Sequence, residues 1–262
     1  IASLALSGGL AKAVHAIESP GLAMFFARGG PLDLEWREFF GQFAIVISYL
    51  FDPDKIFETN VKSCGSCQFI AAQHRPDEAK SIHASDVFLK PLEQLTIFDG
   101  DRVAQLELPD LGKRKNWLAL HPGSGSESKN WPEQNWRKLV AYLLDHSPLN
   151  LLLIGGEAEG DRIQRLANGM PSNRLEIAQH VPLPELAPRL AKCAGYVGHD
   201  TGVTHLASAL GLPTLVLWGK SDEKIWRPLG EKVSVLNQHS ELAELTLETV
   251  LKGINALELE QF

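Results

Sequence analysis

This sequence predicts an α/β chain of doubly wound βαβ units, on two observations. From Leu118 onward, short apolar runs of strand length alternate with segments whose apolar residues recur at helical spacing. The runs are near-continuous and are stopped by glycines or by small polar residues, as in "LNLLLIGG" (149–156). Parallel strands need crossovers, so strands separated by helices of about 10–15 residues imply a parallel sheet with helices on its faces.

Each element of this half follows from its local pattern. "WLALH" (117–121) reads as a strand that ends in "PGSGS". Residues 132–144 read as a helix, with Pro132 near its first turn and Trp136, Leu139, Val140 and Leu143 on one face. Residues 157–167 read as a helix carrying Ile163, Leu166 and Ala167 together. "RLEIA" (174–178) is a short strand, and "PLPELAPRLAKC" (182–193) a helix despite its prolines. "AGYVGHD" (194–200) is a strand, 201–210 a helix, and "PTLVLWG" (213–219) a strand. A last helix covers 245–257, with Leu247, Val250, Leu251 and Ile254 on its apolar side.

The first half is less regular. "FAIVISYL" (43–50) and "CQFIAA" (67–72) are strand candidates, and helices are expected over 1–10 and 84–95. The polar, turn-rich stretch 98–116 reads as the linker, giving a first domain at 1–105 and a second at 106–262. The chain opens with Ile, and "IASLALSGGLAKAVHAIE" has neither a basic leader nor a cleavage pattern. It reads as the middle of an α/β domain, so the first domain is expected to be incomplete at its start.

Composition narrows the function classes. The chain has 262 residues, 44% apolar and 22% charged, with a formal net charge of −7, which argues against a nucleic-acid partner. No apolar run reaches the roughly 18–20 residues of a membrane span. Three cysteines fit a reduced compartment: Cys193 reads as core, and the lone "CGSC" of Cys64 and Cys67 lacks a second pair for zinc.

Two loops carry the chemistry, both at the edge where open parallel sheets bind ligands. In "HPGSGSESKNWP", Gly123 and Gly125 are expected to permit positive φ and close backbone approach to an anion. Ser124 and Ser126 add hydroxyl donors, Lys129 a compact cation, and the following helix its positive end. The competing reading is a solvated turn. In "GHDTGVTHLASALGLP", Asp200 or Thr201 suits a helix cap, but Gly202 is a poor helix former that capping does not explain. His205 falls one turn further on, where a ring N–H would reach the same ligand oxygen. No G-x-G-x-x-G, Walker or G-x-S-x-G pattern fits, which disfavours a dehydrogenase and a serine hydrolase.

Together these two motifs, over residues 118–219, resemble the donor-binding half of family 9 glycosyltransferases, the ADP-heptose:lipopolysaccharide heptosyltransferases and their relatives. The resemblance implies a GT-B fold of two facing Rossmann-like domains with parallel sheets, the second binding a nucleotide-sugar. It implies inverting, metal-independent transfer to a lipopolysaccharide-type or other glycan acceptor, with no cofactor beyond the co-substrate, ADP-heptose in the best-known members. Such an enzyme would be cytoplasmic, with peripheral contact at the inner face of the inner membrane. Ser124, Gly125, Ser126, Lys129, Asp200, Thr201, Gly202 and His205 would then line the donor diphosphate, and Glu159 or Asp161 the ribose. The family's Gly-Asp loop, whose Asp is the general base, has no match in residues 1–46. Asp52, Asp54, His74 and His83 are the nearby acid–base candidates, though Asp-Pro at 52–53 signals a turn. A nucleotide-sugar epimerase and a non-catalytic nucleotide or glycan binder remain the alternatives.

Overall fold

The computed structural model describes residues 2–109, 116–171, 173–237, 241–257 and 259. Residues 110–115, inside the expected linker, lie outside that set. Two compact units emerge: Ala13–Arg102, and a larger one of Ile1–Lys12 with Val103–Phe262. Residues 1–12, assigned by sequence to the first domain, therefore pack with the second. The reason is local: Leu4 of α1 (Ala2–Ser7) joins Leu106 against the apolar cluster of Ala119, Ala187 and Leu190. Among the described residues no helix is long and apolar enough to cross a membrane.

The smaller unit holds α2 (Pro20–Ala23), α3 (Leu34–Gly41), α4 (Ile56–Lys62) and α5 (Ala84–Leu89), with parallel strands β1 (Ile45–Ser48) and β2 (Gln68–Ala71). Its core is aromatic: Phe25, Phe57 and Val61 are buried and packed by Trp36, Phe40 and Phe69. Helix α3 starts at Asp33, whose carboxylate accepts the Trp36 N–H. The helix expected over 84–95 ends at Leu89 and continues as a 3-10 turn through Leu95, because Pro91 has no N–H to extend the α pattern. Cys64 and Cys67 sit at the margin of the aromatic core as free thiols.

The larger unit contains β3 (Trp117–His121), α6 (Glu133–His146), β4 (Asn150–Gly155), α7 (Arg162–Ala167), β5 (Leu175–Gln179) and α8 (Leu183–Ala191). It continues through β6 (Gly195–His199), α9 (Gly202–Ala209), β7 (Thr214–Trp218), α10 (Glu223–Trp226), β8 (Val233–Asn237) and α11 (Leu247–Asn255). All six strands are parallel in the order β5-β4-β3-β6-β7-β8. Successive strand residues face opposite sides, and both sides are covered, which is why the strands read as continuous apolar runs. Leu118, Leu120, Leu151 and Leu153 meet Leu139, Ile163 and Val250 on one side. Ala119, Leu152 and Tyr196 meet Leu186, Leu190 and Leu206 on the other, with Cys193 buried among them.

One expectation needs correction, and two elements went unread. The helix over 157–167 is broken: a 3-10 turn covers Glu157–Glu159, Gly160 takes φ +48°, and α7 begins only at Arg162. The strand β8 and the short α10 were not read from sequence; "VSVLN" is a short, partly exposed edge strand without the continuous apolar run that marks the buried strands.

Candidate functional site

The strand order reverses between β3 and β6, so their following segments leave towards opposite halves of the sheet. That leaves a crevice beyond the carboxyl ends, the usual ligand position in such sheets. Both strands end in a buried histidine, His121 and His199. Neither faces solvent, and each ties two loops together.

His199 accepts the Trp131 N–H on Nε2 at 2.8 Å, so its proton lies on Nδ1, 3.4 Å from the Gly123 carbonyl. One ring thus pins both ends of the Gly-Ser loop. Burial drives its pKa down to about 3, against the opposing bond to Gly123, and the ring is neutral at pH 7. The Nδ1 of His121 is 3.2 Å from the Thr201 hydroxyl, and its Nε2 is 3.6 Å from Oε1 of Glu159. Its pKa is also lowered, by burial, with Glu159 pulling the other way.

A polar chain runs beneath the start of α9. The Thr204 hydroxyl donates to the His199 carbonyl, so it accepts from Tyr196 Oη, 2.9 Å away. The tyrosine reaches it by passing over Gly198, where an added Cβ would lie 2.8 Å from the ring's Cζ. The Thr201 hydroxyl faces His121 and Thr204. No side chain caps α9, so the capping reading of Asp200 and Thr201 fails, and the hydroxyl's inward turn is the reason. Helix N–H groups without a side-chain cap, at a residue with no Cβ and open space above it, can donate to an anion.

Lys129 stands at the same place. Its Nζ is 3.3 Å from Oδ2 of Asp200, and the same oxygen accepts the Ser221 hydroxyl at 2.5 Å. Asp200 therefore joins the loops after β3, β6 and β7. Gly125 faces open space, and Ser126 is exposed beside it. His205 is on the exposed side of α9, one turn in.

The remaining predicted residues are placed differently from one another. Ser124 is buried and spends its hydroxyl on the Ser126 carbonyl at 2.8 Å, shaping the turn. Gly123 and Gly125 do not take positive φ. Gly123 is required for another reason: an added Cβ would lie 2.7 Å from Cδ of Glu159, and closer still to its Oε1 and Cγ. Glu159 is buried, with Oε2 accepting the Gly156 N–H at 2.5 Å, whereas Asp161 is exposed.

In the smaller unit, Asp52 accepts the N–H groups of Ile56 and Glu58, both at 2.9 Å, and so caps α4. Asp54 pairs with Arg28 at 3.3 Å in solvent. His83 caps α5 through Nδ1, and His74 packs on Phe51. Among the described residues no group of three or more His, Cys, Asp or Glu could hold a metal ion.

Sequence reasoning missed the roles of His121, Tyr196, Arg162 and Ser221. Arg162 is buried at the first position of α7 and donates to the Pro122 carbonyl and to both oxygens of Glu127. A signal was available for Ser221, which follows "LVLWGK" at the end of β7, the same sheet edge as the other two loops.

Comparison with known proteins identifies the family. The sequence model of glycosyltransferase family 9 (heptosyltransferase) matches residues 83–254, more than half of the chain. Lipopolysaccharide heptosyltransferase 1 of Escherichia coli K12 is 31% identical over 190 residues, 71% of this chain and 57% of the relative. Lipopolysaccharide heptosyltransferase 2 of the same strain is 24% identical over 189 residues, 64% of this chain and 54% of the relative. The chain thus spans little more than half the length of these relatives. A family 9 glycosyltransferase structure from Veillonella parvula superposes with a TM-score of 0.70 at 19% identity, over 84% of this chain and 75% of that one. The E. coli heptosyltransferase WaaC with ADP gives 0.68 at 21% identity, over 92% and 80%. The fold is accordingly GT-B, with two Rossmann-like α/β units in one chain. The chain belongs to glycosyltransferase family 9, the heptosyltransferase family.

Proposed function

We propose that this protein is a glycosyltransferase that moves a heptose or related sugar from a nucleotide-diphosphate donor to a lipopolysaccharide-core or other glycan acceptor. One observation carries it. Lys129, held by Asp200, stands beside the uncapped, Cβ-free start of α9 at the sheet's switch point. A cation and convergent N–H groups suit a diphosphate. The names of the relatives, and the ADP bound to WaaC, support ADP-heptose as the donor.

In this reading the diphosphate lies along Gly125, Ser126 and the first turn of α9, with His205 at its flank. Transfer is a single displacement that inverts the sugar's anomeric centre. As the bond to the sugar breaks, negative charge grows on the departing diphosphate, and Lys129 with the pre-aimed N–H groups stabilises it. That positive potential takes the place of a divalent ion. Of Glu159 and Asp161, Glu159 lies against the Gly-Ser loop at Gly123 and is assigned to the ribose side, with Asp161 outside it. The base that takes the acceptor proton is not assigned to Asp52 or Asp54, whose carboxylates cap α4 and pair with Arg28.

The acceptor is assigned to the smaller unit. A cavity of about 580 Å³ lies there at the carboxyl end of β2, with Val87, Leu92 and Phe98 on its walls and the ion pairs Lys80–Asp77, Lys90–Glu93 and Arg102–Asp86 around it. Mixed apolar and charged lining suits an amphipathic glycan acceptor. Such a substrate places the enzyme in the cytoplasm, in peripheral contact with the inner face of the inner membrane.

Lys129→Ala tests the site. ADP affinity, read by calorimetry, is expected to fall about tenfold or more while adenosine affinity holds, because only the diphosphate meets the ammonium. Equal loss for both ligands would remove the phosphate assignment.

A further inference from the structure

The Gly-Ser loop is held from a direction that the donor site itself does not use. Arg162, a charged residue only 9% exposed, projects from the start of α7 beneath the loop that follows β3. Its Nη1 donates to the Pro122 carbonyl at 3.3 Å. Its Nη2 donates to both oxygens of Glu127, at 2.6 and 2.7 Å. A buried guanidinium is costly unless its donors are matched, and here both terminal nitrogens are spent on two points of a single loop, while the buried Nε makes no hydrogen bond among the described residues.

Glu127 opens the 3-10 turn Glu127–Lys129, so Arg162 grips the turn at its first residue and Lys129 is its last. Asn130 supports the same carboxylate from the other side, its side-chain amide donating to Oε2 of Glu127 at 2.9 Å. Both bonds hold the Glu127 carboxyl below its ordinary range, the Arg162 bond foremost. The Nε of Arg162 comes within 3.5 Å of Oε2 of Glu133, which opens α6 beyond the loop. Arg162 thus faces the carboxylates on both sides of Lys129.

We infer that Arg162 is a positioning residue for donor binding, acting through Glu127 to set where the turn delivers the Lys129 ammonium. The inference rests on the reading of Lys129 as a diphosphate ligand. A Lys at position 162 keeps the charge and loses the planar fork that reaches a carbonyl and a carboxylate at once. A neutral amide at Glu127, whose side chain is 78% exposed, weakens the grip with little effect on the core.

The test is a double-mutant cycle on ADP binding, with thermal unfolding run alongside. Arg162→Lys is expected to weaken ADP about tenfold with adenosine unchanged, and Glu127→Gln to weaken it several-fold. In a Lys129→Ala background the same two changes should alter ADP affinity by less than about twofold, since there is no ammonium left to position. A full effect in both backgrounds, or no effect of either variant in the native background, overturns the inference. Should Arg162→Lys lose its fold, Glu127→Gln alone decides between these results. If Lys129→Ala leaves ADP binding intact, the diphosphate reading fails first, and this inference falls with it.

Discussion

Replacing Gly123 with Ala separates two accounts of the Gly-Ser loop. If its glycines exist for close approach to a ligand, alanine at either position should spare the fold and impair binding. The geometry says otherwise for Gly123, where an added Cβ would lie 2.7 Å from Cδ of Glu159. That carboxylate has no room to retreat: its side chain is 3% exposed, and Oε2 holds the Gly156 N–H at 2.5 Å. Overpacking of this kind costs about 1–3 kcal/mol. Losing the charged hydrogen bond adds roughly 1.5–3 kcal/mol. A total of about 2.5–6 kcal/mol lowers the Tm of a unit this size by roughly 5–24 °C. At Gly125 nothing lies within 4 Å of an added Cβ, and φ is not positive, so Gly125→Ala should change stability by less than about 0.5 kcal/mol. Its effect should appear instead as weaker ADP binding, because the new methyl occupies the space assigned to the diphosphate. Calorimetric unfolding and ADP titration of both variants give the result. An unchanged Tm in Gly123→Ala, or an equal drop in both, would refute the steric argument.

Two further outcomes follow from the hydrogen-bond geometry. His199 binds its proton less readily folded than unfolded, with a pKa of about 3 against the usual 6.5. The unfolded chain therefore takes up more protons below pH 6.5, and stability is complete above that pH and falls as pH drops towards 3. From pH 7 to 5 the loss from this residue is about 2 kcal/mol, and His199→Gln should flatten that slope in urea titrations while lowering stability at pH 7. Asp52→Ala should cost about 1–2 kcal/mol by uncapping α4, with ADP binding unaltered; a loss of ADP affinity would give Asp52 more than a capping role.

How much of this was legible in the sequence depends on how local each cause is. The strands β3, β4, β6 and β7 were readable because burial on both faces makes them mostly apolar between their end residues. The break at Gly160 was hidden, since Glu159 folds back to Gly156 and competes with helix propagation in a way that apolar spacing does not record. The fate of residues 1–12 was equally hidden, because the contact of Leu4 with the α8 side of the sheet depends on tertiary packing. The candidate site is read from two local motifs, a Gly-Ser loop carrying Lys129 and a helix start at Gly202, each compact enough in sequence to be recognised alone. The contacts that join them are not local: Lys129 meets Asp200 71 residues on, His199 reaches back 68 residues to Trp131, and Thr201 is 80 residues from His121.

The choice of histidine at position 199 follows from what the two loop ends offer. At Trp131 the backbone presents a donor, and at Gly123 it presents an acceptor. Lysine and arginine have no acceptor, and a carboxylate has no donor. An amide has both, but they diverge from a single carbon and cannot face two strands of chain on opposite sides. A neutral imidazole presents an acceptor and a donor at separated corners of one rigid ring. The ring stays neutral because the surrounding core, with the Trp136 ring 5.5 Å away, excludes the water that a charge would need. The same burial that makes the clamp work is what limits it in acid, so any ADP binding measured at pH 7 should be lost below about pH 5 in step with unfolding of the larger unit.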